Sequence, residues 1–253
     1  MSYKDSFISI SGAVCIQQAS TYWLKTIIKT QYVNGTNIYD TFHNLYHQKE
    51  KFRFFRGISP NILKVLVGRN SDILIYKYFD ENTKLCKEKK ALFSGITSSF
   101  FKVATMPLDT VSNIYQVKGQ QDKEIIMKQY KKETNFFFRG PLAYLGISSI
   151  GSSAWLYSYE KLKDKKFTNS KDLNNAITGV SSSLISDVVV NPFRIVKTYK
   201  QSNENYISYR QIMSNILKND NNIFKSYFRG YFLRTSMNAF NSGLFVVLWK
   251  QFE

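Results

Sequence analysis

Two stretches of the chain carry no charged residue over about the length of a membrane span. They run from Ser6 to Leu24 and from Gly140 to Tyr159, and a helix needs about 20 mostly apolar residues to cross a hydrocarbon core. Both stretches are rich in Gly, Ser and Ala, the small residues that let helices approach closely in lipid. The pattern therefore predicts membrane-spanning helices at these two positions.

Six long helices are predicted in all, joined by polar connections that contain short amphipathic helices. Their ranges are 6–31, 58–80, 90–117, 141–164, 171–201 and 231–253. Several of them carry ionisable residues such as Lys64, Asp109 and Asp187, which in a span usually face a bundle interior or a wet cavity. The predicted fold class is an all-α membrane protein with six transmembrane helices around a polar cavity.

An internal repeat underlies these helices. The string Phe-Arg-Gly occurs at 55–57, 138–140 and 228–230, and an aromatic residue lies 19 positions after each glycine. Each aromatic residue is followed by an ionisable residue, and a residue of opposite charge comes three positions later. These charged pairs are Lys77 with Asp80, Glu160 with Lys163, and Lys250 with Glu253. The match predicts one domain, residues 1–253, made of three two-helix repeats at 6–80, 90–164 and 171–253.

A proline element strengthens the repeat. "PLDTVSNIYQ", which begins at Pro107, aligns with "PFRIVKTYKQ", which begins at Pro192, so that proline, a charge at the third position and glutamine at the tenth agree. The first repeat keeps only the glutamine, Gln31. Since proline removes a backbone hydrogen bond from a helix and kinks it, we expect kinks in the first helix of repeats two and three.

The charge balance is strongly basic. The chain holds 35 Lys and Arg against 18 Asp and Glu, a formal net charge of +17, which favours anionic partners such as nucleic acid, phospholipid head groups or acidic solutes. The mean hydropathy of −0.28 leaves open a soluble basic helical protein that binds RNA. We do not expect a nucleic-acid partner, because the basic residues form no single stripe and the sequence contains no nucleic-acid-binding module.

The proline elements and the three Phe-Arg-Gly strings together resemble the mitochondrial carrier family, over nearly the whole chain from Ser6 to Glu253. The resemblance implies a threefold pseudo-symmetric barrel in the mitochondrial inner membrane, whose members exchange small, often anionic metabolites. It also implies cardiolipin bound at the start of every second helix, where free N–H groups and the helix dipole favour phosphate. The implied cardiolipin-binding pairs are Arg56 with Gly57, Arg139 with Gly140, and Arg229 with Gly230; ordinary membrane-flanking arginines are the alternative.

The matrix gate of the family, a ring of salt bridges between repeats, is altered in this sequence. The resemblance assigns its acid and base positions to Asp109 and Ser112 in repeat two, and to Arg194 and Lys197 in repeat three. Repeat one has no carboxylate between residues 5 and 40. Of the three family pairs, only one between Asp109 and Lys197 is therefore expected.

The opposite gate is altered in another way. Glu160 with Lys163 keeps the family order of acid before base, whereas the pairs of repeats one and three are reversed in sign. These are Lys77 with Asp80 and Lys250 with Glu253. A complete ring of three pairs is not expected.

The family's substrate-contact points fall on Lys64, on Ile147 with Ser148, and on Met237. A lysine suits an anion, although Lys64 is equally compatible with a cavity lysine that has a local partner. Ile147 and Met237 are compatible with ordinary packing positions.

Other chemistry is not predicted. The sequence contains neither a Gly-rich phosphate loop nor a nucleophile and base at a distinctive spacing, so we do not expect an enzyme. His43 and His47 share one helical face but lack a third ligand, so we expect no metal. Bound cardiolipin is the one non-protein component that the resemblance implies.

Two functions follow from the resemblance. One is a pseudo-carrier that serves as a structural or accessory subunit of an inner-membrane complex, for example a respiratory one. We favour it because the Arg-Gly pairs persist while the gate charges do not. The alternative is an active carrier that transports a small anionic metabolite across the inner membrane, with Lys64 as the anion contact.

Overall fold

The computed structural model describes residues 3–48, 50, 52–119, 122–162, 164–169, 171–220 and 222–252. In this part of the chain all regular structure is helical, and there are eleven α-helices rather than the six predicted. They are α1 Tyr3–Asn34, α2 Ile38–His47, α3 Ile58–Asn82, α4 Lys87–Ala104, α5 Met106–Lys118, α6 Asp122–Lys132, α7 Pro141–Leu162, α8 Lys171–Ser202, α9 Tyr209–Asp220, α10 Ile223–Tyr227 and α11 Tyr231–Phe252.

The long helices close a ring around a central space. α1 packs against α3, α3 against α4, α4 against α7, α7 against α8, α8 against α11, and α11 against α1. The order of these helices around the ring is therefore the same as their order along the chain. α5 continues the path of α4 and contacts α1, α3 and α8, so it lies at the centre of one end of the ring.

The two prolines act differently. At Thr105 the helical path breaks, so that α4 ends at Ala104 and Pro107 occupies the first turn of α5, where its missing N–H costs no helical hydrogen bond. Pro192, by contrast, lies inside the continuous helix α8. This break, together with the short helices between the long ones, accounts for the higher helix count.

The membrane prediction is wrong. Within the described residues, none of the helices combines the length and the apolar content that crossing a membrane requires. This finding overturns the six transmembrane helices, the multi-pass location in the mitochondrial inner membrane, and the description of the chain as a membrane-embedded carrier. The physical reason lies in the uncharged run from Ser6 to Leu24, which includes Gln17, Gln18 and Thr21 as well as four serines. Such residues carry no charge yet supply little apolar surface.

Each Phe-Arg-Gly glycine lies at a helix start and rests on the next repeat. Gly57, Gly140 and Gly230 directly precede α3, α7 and α11, with φ of +77°, +92° and +61°, a region that favours glycine. A Cβ on Gly57 would lie 2.8 Å from Cβ of Tyr115 in α5, and one on Gly230 would lie 2.9 Å from the Tyr32 ring in α1. Gly140 faces α8 in the same way. The contacts therefore run from repeat one to two, two to three, and three back to one.

Buried arginines follow the same cycle. The guanidinium of Arg139 donates 2.7 Å to the carbonyl of Asn203, just past α8, and that of Arg229 donates 3.2 Å to the carbonyl of Tyr32, near the end of α1. In repeat one Arg53, not Arg56, reaches the end of α5, where it donates 3.2 Å to the carbonyl of Val117. A cation at a helix C-terminus is favourable because the terminal carbonyls carry partial negative charge.

These contacts change the picture of the Arg-Gly pairs. Arg139 and Arg229 are buried, with exposed fractions of 3% and 5%, and Arg139 also binds Glu133. Arg56 is more accessible and pairs with Glu50 at 2.9 Å. Each arginine thus has a protein partner, while cardiolipin binding at these pairs stays a prediction.

The interior of the ring is largely polar. Ser98, Ser99, Asn113 and Gln116 are each fully buried, and an apolar cluster around Ile28, with Ile195, Ile212 and Met237 among its members, lies where α1, α8, α9 and α11 meet. Buried polar groups need hydrogen-bond partners or water. A polar interior of this kind can hold a charged site.

Candidate functional site

One carboxylate lies at the centre of the bundle between two lysines. Asp109 of α5 is 1% exposed, and its two oxygens each accept a hydrogen bond of 2.7 Å, Oδ1 from Lys64 of α3 and Oδ2 from Lys197 of α8. The side chains of Lys64 and Lys197 keep exposed fractions of 20% and 13%. The two lysine side chains therefore retain some contact with solvent, whereas the carboxylate retains almost none.

The glycine contacts explain why these three side chains meet. Gly57 rests against Ser112, one turn after Asp109 on α5, and Lys64 lies two turns after Gly57 on α3. Gly140 rests against Lys197 itself, with the position of a Cβ 3.6 Å from its Cγ. The docking of each repeat on the next thus brings α3, α5 and α8 together at Asp109. The Tyr144 ring supports Lys197 from α7, 4.8 Å from Nζ.

A third lysine completes the group, which we call the lysine site: Lys29, Lys64 and Lys197 around Asp109. Burial raises the pKa of Asp109, but the charges of Lys197, Lys64 and Lys29 outweigh it and hold that pKa well below its usual range. Burial, followed by the charge of Lys64, lowers the pKa of Lys29 well below its usual value. Nζ of Lys29 is shielded from solvent and has no hydrogen-bond partner among the described residues. The lysine site is therefore short of negative charge.

A second charged group joins α8 to α11. Arg194 forms an ion pair with Asp187, two turns earlier on α8, and Asn238 of α11 donates 2.7 Å to the other oxygen of Asp187. Arg234 lies one turn before Asn238, and its positive charge is the largest cause after burial of the lowered pKa of Arg194. We call Asp187, Arg194, Arg234 and Asn238 the arginine site.

The matrix-gate positions are used unevenly. The structure brings Asp109 and Lys197 together across 88 residues of sequence. Ser112 instead donates 3.1 Å to the carbonyl of Gly57, so it serves the packing of α3 on α5. Arg194 pairs with Asp187 within its own helix, so it does not take part in a bridge at the acid position that the family alignment gave it.

The substrate-contact candidates separate as well. Lys64 belongs to the lysine site. Met237 is 3% exposed within the apolar cluster around Ile28, which fits a packing role. On α7, Ser148 accepts a hydrogen bond from Ser99 of α4, and Ile147 is half-buried.

The opposite-gate residues show local pairs where the structure describes them. Lys77 lies 3.7 Å from Glu81, one turn later on α3, and Asp80 lies 2.8 Å from Lys90 at the start of α4. The side chains of Glu160 and Lys250, and the residues Lys163 and Glu253, lie outside what the structure describes. A ring across the repeats at this end stays a prediction.

Sequence reasoning missed Lys29 and Arg234. Neither falls on a position that the three repeats share, so the alignment gave no reason to choose them. Arg234 did carry a signal, because it is the one charged residue in the sequence of α11 before Lys250. Lys29 had none, since Lys25 lies one turn away on the same helix and looks alike in sequence.

A cavity of about 410 Å³ lies between α1, α2 and α11. Aromatic and aliphatic side chains line it, among them Trp23, Phe42 and Leu233. Its lining contains no charged residue. It is therefore unsuited to an anion, and the polar chemistry of the chain concentrates at the lysine and arginine sites.

Comparison of the chain with protein-family models gives no match, and comparison with characterised proteins gives none either.

Proposed function

We propose that the protein binds a small anionic solute at the lysine site. The observation that carries this proposal is the imbalance of charge: two amines share the one carboxylate of Asp109, the charge of Lys29 also acts on it, and Nζ of Lys29 has no hydrogen-bond partner among the described residues. Because a buried charge without a counter-ion is costly, an anion that enters the site supplies a missing favourable interaction.

The exposure of the lysine side chains supports the same proposal. Lys64 and Lys197 each retain exposed surface while Asp109 is almost fully covered. An anion that approaches the site therefore contacts the side chains of Lys64 and Lys197 before it contacts Asp109. Charge-assisted hydrogen bonds from ammonium groups to such an oxyanion are among the stronger polar contacts in proteins.

The proposal concerns binding alone. Like the carrier hypothesis, it assumes an anionic ligand that contacts Lys64. It does not include a membrane location, because none of the described helices is long and apolar enough to cross a membrane. Compared with a purely structural role, binding gives a reason for the surplus of amines, since a structural ion pair needs only one of them.

Lys64→Met is expected to weaken anion binding at least tenfold. The substitution removes one of the two amines that hydrogen-bond to Asp109 and keeps most of the side-chain volume. Isothermal titration of the purified protein with succinate and with inorganic phosphate measures the effect. Lys218→Met is the matched control, because Lys218 is an exposed lysine of α9 outside the site, and the same loss of charge there is expected to change affinity less than about twofold, as for other screened surface charges.

Two results would contradict the proposal. One is that no anion in a panel of carboxylates and phosphates saturates the wild-type protein. The other is that Lys64→Met and Lys218→Met reduce affinity equally, which would point to non-specific attraction by the net charge of +17. Circular dichroism of both variants checks that the fold is retained.

Anion binding is also expected to take up a proton at Lys29. In the free protein burial and the charges of Lys64 and other lysines lower the pKa of Lys29 well below 10.5, so the amine loses its proton at lower pH than an ordinary lysine. A bound anion favours the charged amine and raises that pKa again. Protons are therefore bound on complex formation, and affinity rises as pH falls from 10.5 toward the lowered pKa.

Titrations in two buffers of different ionisation enthalpy measure this proton uptake directly. Lys29→Met is expected to remove most of the uptake at alkaline pH while leaving some binding by Lys64 and Lys197, because burial lowers the pKa of Lys29 well below its usual value and also lowers that of Lys197. Lys25→Met is the control on the same helix, since Lys25 hydrogen-bonds to Gln18 and is not assigned to the site. Uptake in Lys29→Met as large as in the wild type would assign the proton to another group.

A further inference from the structure

We infer that the ligand carries a second anionic group, separate from the first, and that Arg194 and Arg234 bind it. This inference rests on the proposed function, because it assigns the second group of the same ligand. Its chemical class is a small molecule with two anionic ends, such as a dicarboxylate or a phosphorylated carboxylic acid.

The arginine site holds more positive charge than it neutralises. Asp187 is the carboxylate that pairs with Arg194, and it is already shared with the amide of Asn238. Nε of Arg194 and Nε of Arg234 are both shielded from solvent, and neither has a hydrogen-bond partner among the described residues. Buried donors without hydrogen-bond partners are costly. An oxyanion between the two guanidinium groups would accept hydrogen bonds from both of them.

The electrostatics agree with this geometry. Burial and then the charge of Arg234 lower the pKa of Arg194 to about 10, despite the opposing effect of Asp187. With a pKa of about 10, Arg194 still carries its charge at neutral pH. The two positive charges therefore repel each other in the free protein, and an anion between them relieves that repulsion.

Position links the arginine site to the lysine site. Arg194 lies one turn before Lys197 on α8, and the charge of Arg234 acts on both Lys64 and Lys197. The two sites therefore face the same interior, with separate carboxylates, Asp109 and Asp187. A ligand with one anionic group at each site would neutralise the excess positive charge of both the lysine site and the arginine site.

The side chains also suit different ends of such a ligand. The planar guanidinium fork binds carboxylate or phosphate oxygens in pairs, whereas an ammonium acts as a compact point charge. We therefore assign the orienting contact to the arginines and the less directional contact to the lysines.

The test compares a ligand that has two separate anionic groups with ligands that have one. The probes are succinate, acetate and inorganic phosphate, titrated into the wild-type protein, Arg234→Gln and Arg210→Gln. Arg210 is an exposed arginine of α9 and serves as the matched control for loss of charge.

We expect the wild type to bind succinate at least tenfold more tightly than acetate. Arg234→Gln is expected to reduce that ratio below about threefold, with little change in acetate affinity, while Arg210→Gln keeps it. Should Arg234→Gln fail to fold, Arg194→Lys replaces it, because it keeps the charge at that position and removes only the fork.

The outcomes separate this inference from the proposed function. If no probe binds, or if Lys64→Met has no specific effect, the proposed function fails and this inference with it. If probes bind through Lys64 but wild type shows no preference for succinate, or Arg234→Gln keeps that preference, only the second anionic group is disproved. If phosphate, rather than succinate, binds more tightly than acetate and loses this advantage in Arg234→Gln, the inference of two separate anionic groups is disproved and the ligand is a single compact dianion.

Discussion

Asp109→Asn is expected to lower the free energy of unfolding by about 3 to 5 kcal/mol, the range for removing one partner of a buried ion pair. Asp109 is 1% exposed and holds both Lys64 and Lys197 at 2.7 Å. Asparagine fits the same space but leaves the ammonium groups of Lys64 and Lys197 without their carboxylate, beside the amine of Lys29, which has no hydrogen-bond partner among the described residues. The loss therefore reflects uncompensated charge, with no cavity created.

Urea denaturation of wild type and variant measures the change. Glu204→Gln is the matched control. Glu204 is half-exposed and lies 3.5 Å from Lys118, and such a surface ion pair contributes less than about 1 kcal/mol to stability. Adding Lys197→Met to Asp109→Asn is expected to recover part of the loss, as one of the uncompensated charges then disappears. Equal losses in Asp109→Asn and Glu204→Gln would show that the lysine site is well hydrated and would remove the basis of the proposed function.

Gly57→Ala is expected to destabilise the fold by about 3 kcal/mol, through backbone strain and overpacking together. At φ of +77° an alanine is strained, and its Cβ would lie 2.8 Å from Cβ of Tyr115 and 3.1 Å from the carbonyl oxygen of Ser112. The helical backbone of α5 fixes the positions of both atoms, so a side-chain rotation cannot relieve the contact. α3 and α5 must then separate, which also moves Lys64 from Asp109.

Gly179→Ala supplies the comparison within the same chain. Gly179 lies in α8, where a Cβ would meet no atom within 4 Å, so alanine there is expected to stabilise the helix by about 0.5 to 1 kcal/mol. Thermal unfolding of Gly57→Ala and Gly179→Ala separates the effect of a clash between repeats from the effect of alanine on the backbone, because of these two glycines only Gly57 contacts another repeat. A Gly57→Ala protein as stable as wild type would mean that α3 does not dock on α5 as described.

Local features of the fold could be predicted from the sequence. The Phe-Arg-Gly strings indicated helix starts, and the structure begins α3, α7 and α11 directly after Gly57, Gly140 and Gly230. A left-handed glycine acts on its own neighbours, so its effect is visible in a short stretch of sequence. The proline at 107 indicated a kink within one helix over 90–117, whereas the structure has two helices there, α4 ending at Ala104 and α5 beginning at Met106.

The membrane prediction was wrong for a reason that also concerns sequence. An absence of charge suggests lipid exposure, but Gln17, Gln18 and Thr21 in the uncharged N-terminal run are buried in the bundle. Uncharged polar residues satisfy one another inside a protein. Their presence therefore distinguishes poorly between a span and an interior helix.

By itself the sequence determined the helical character, the positions of three helix starts and the excess of basic residues, because each depends on near neighbours or on composition. Only the tertiary structure decided which charges meet. Lys197 reaches Asp109 across 88 residues, Arg194 pairs with Asp187 on its own helix, and Nζ of Lys29 has no hydrogen-bond partner in the described part of the chain. Partner choice among many similar lysines depends on the packing of α3, α5, α8 and α11 around one point, and that packing is a property of the whole chain.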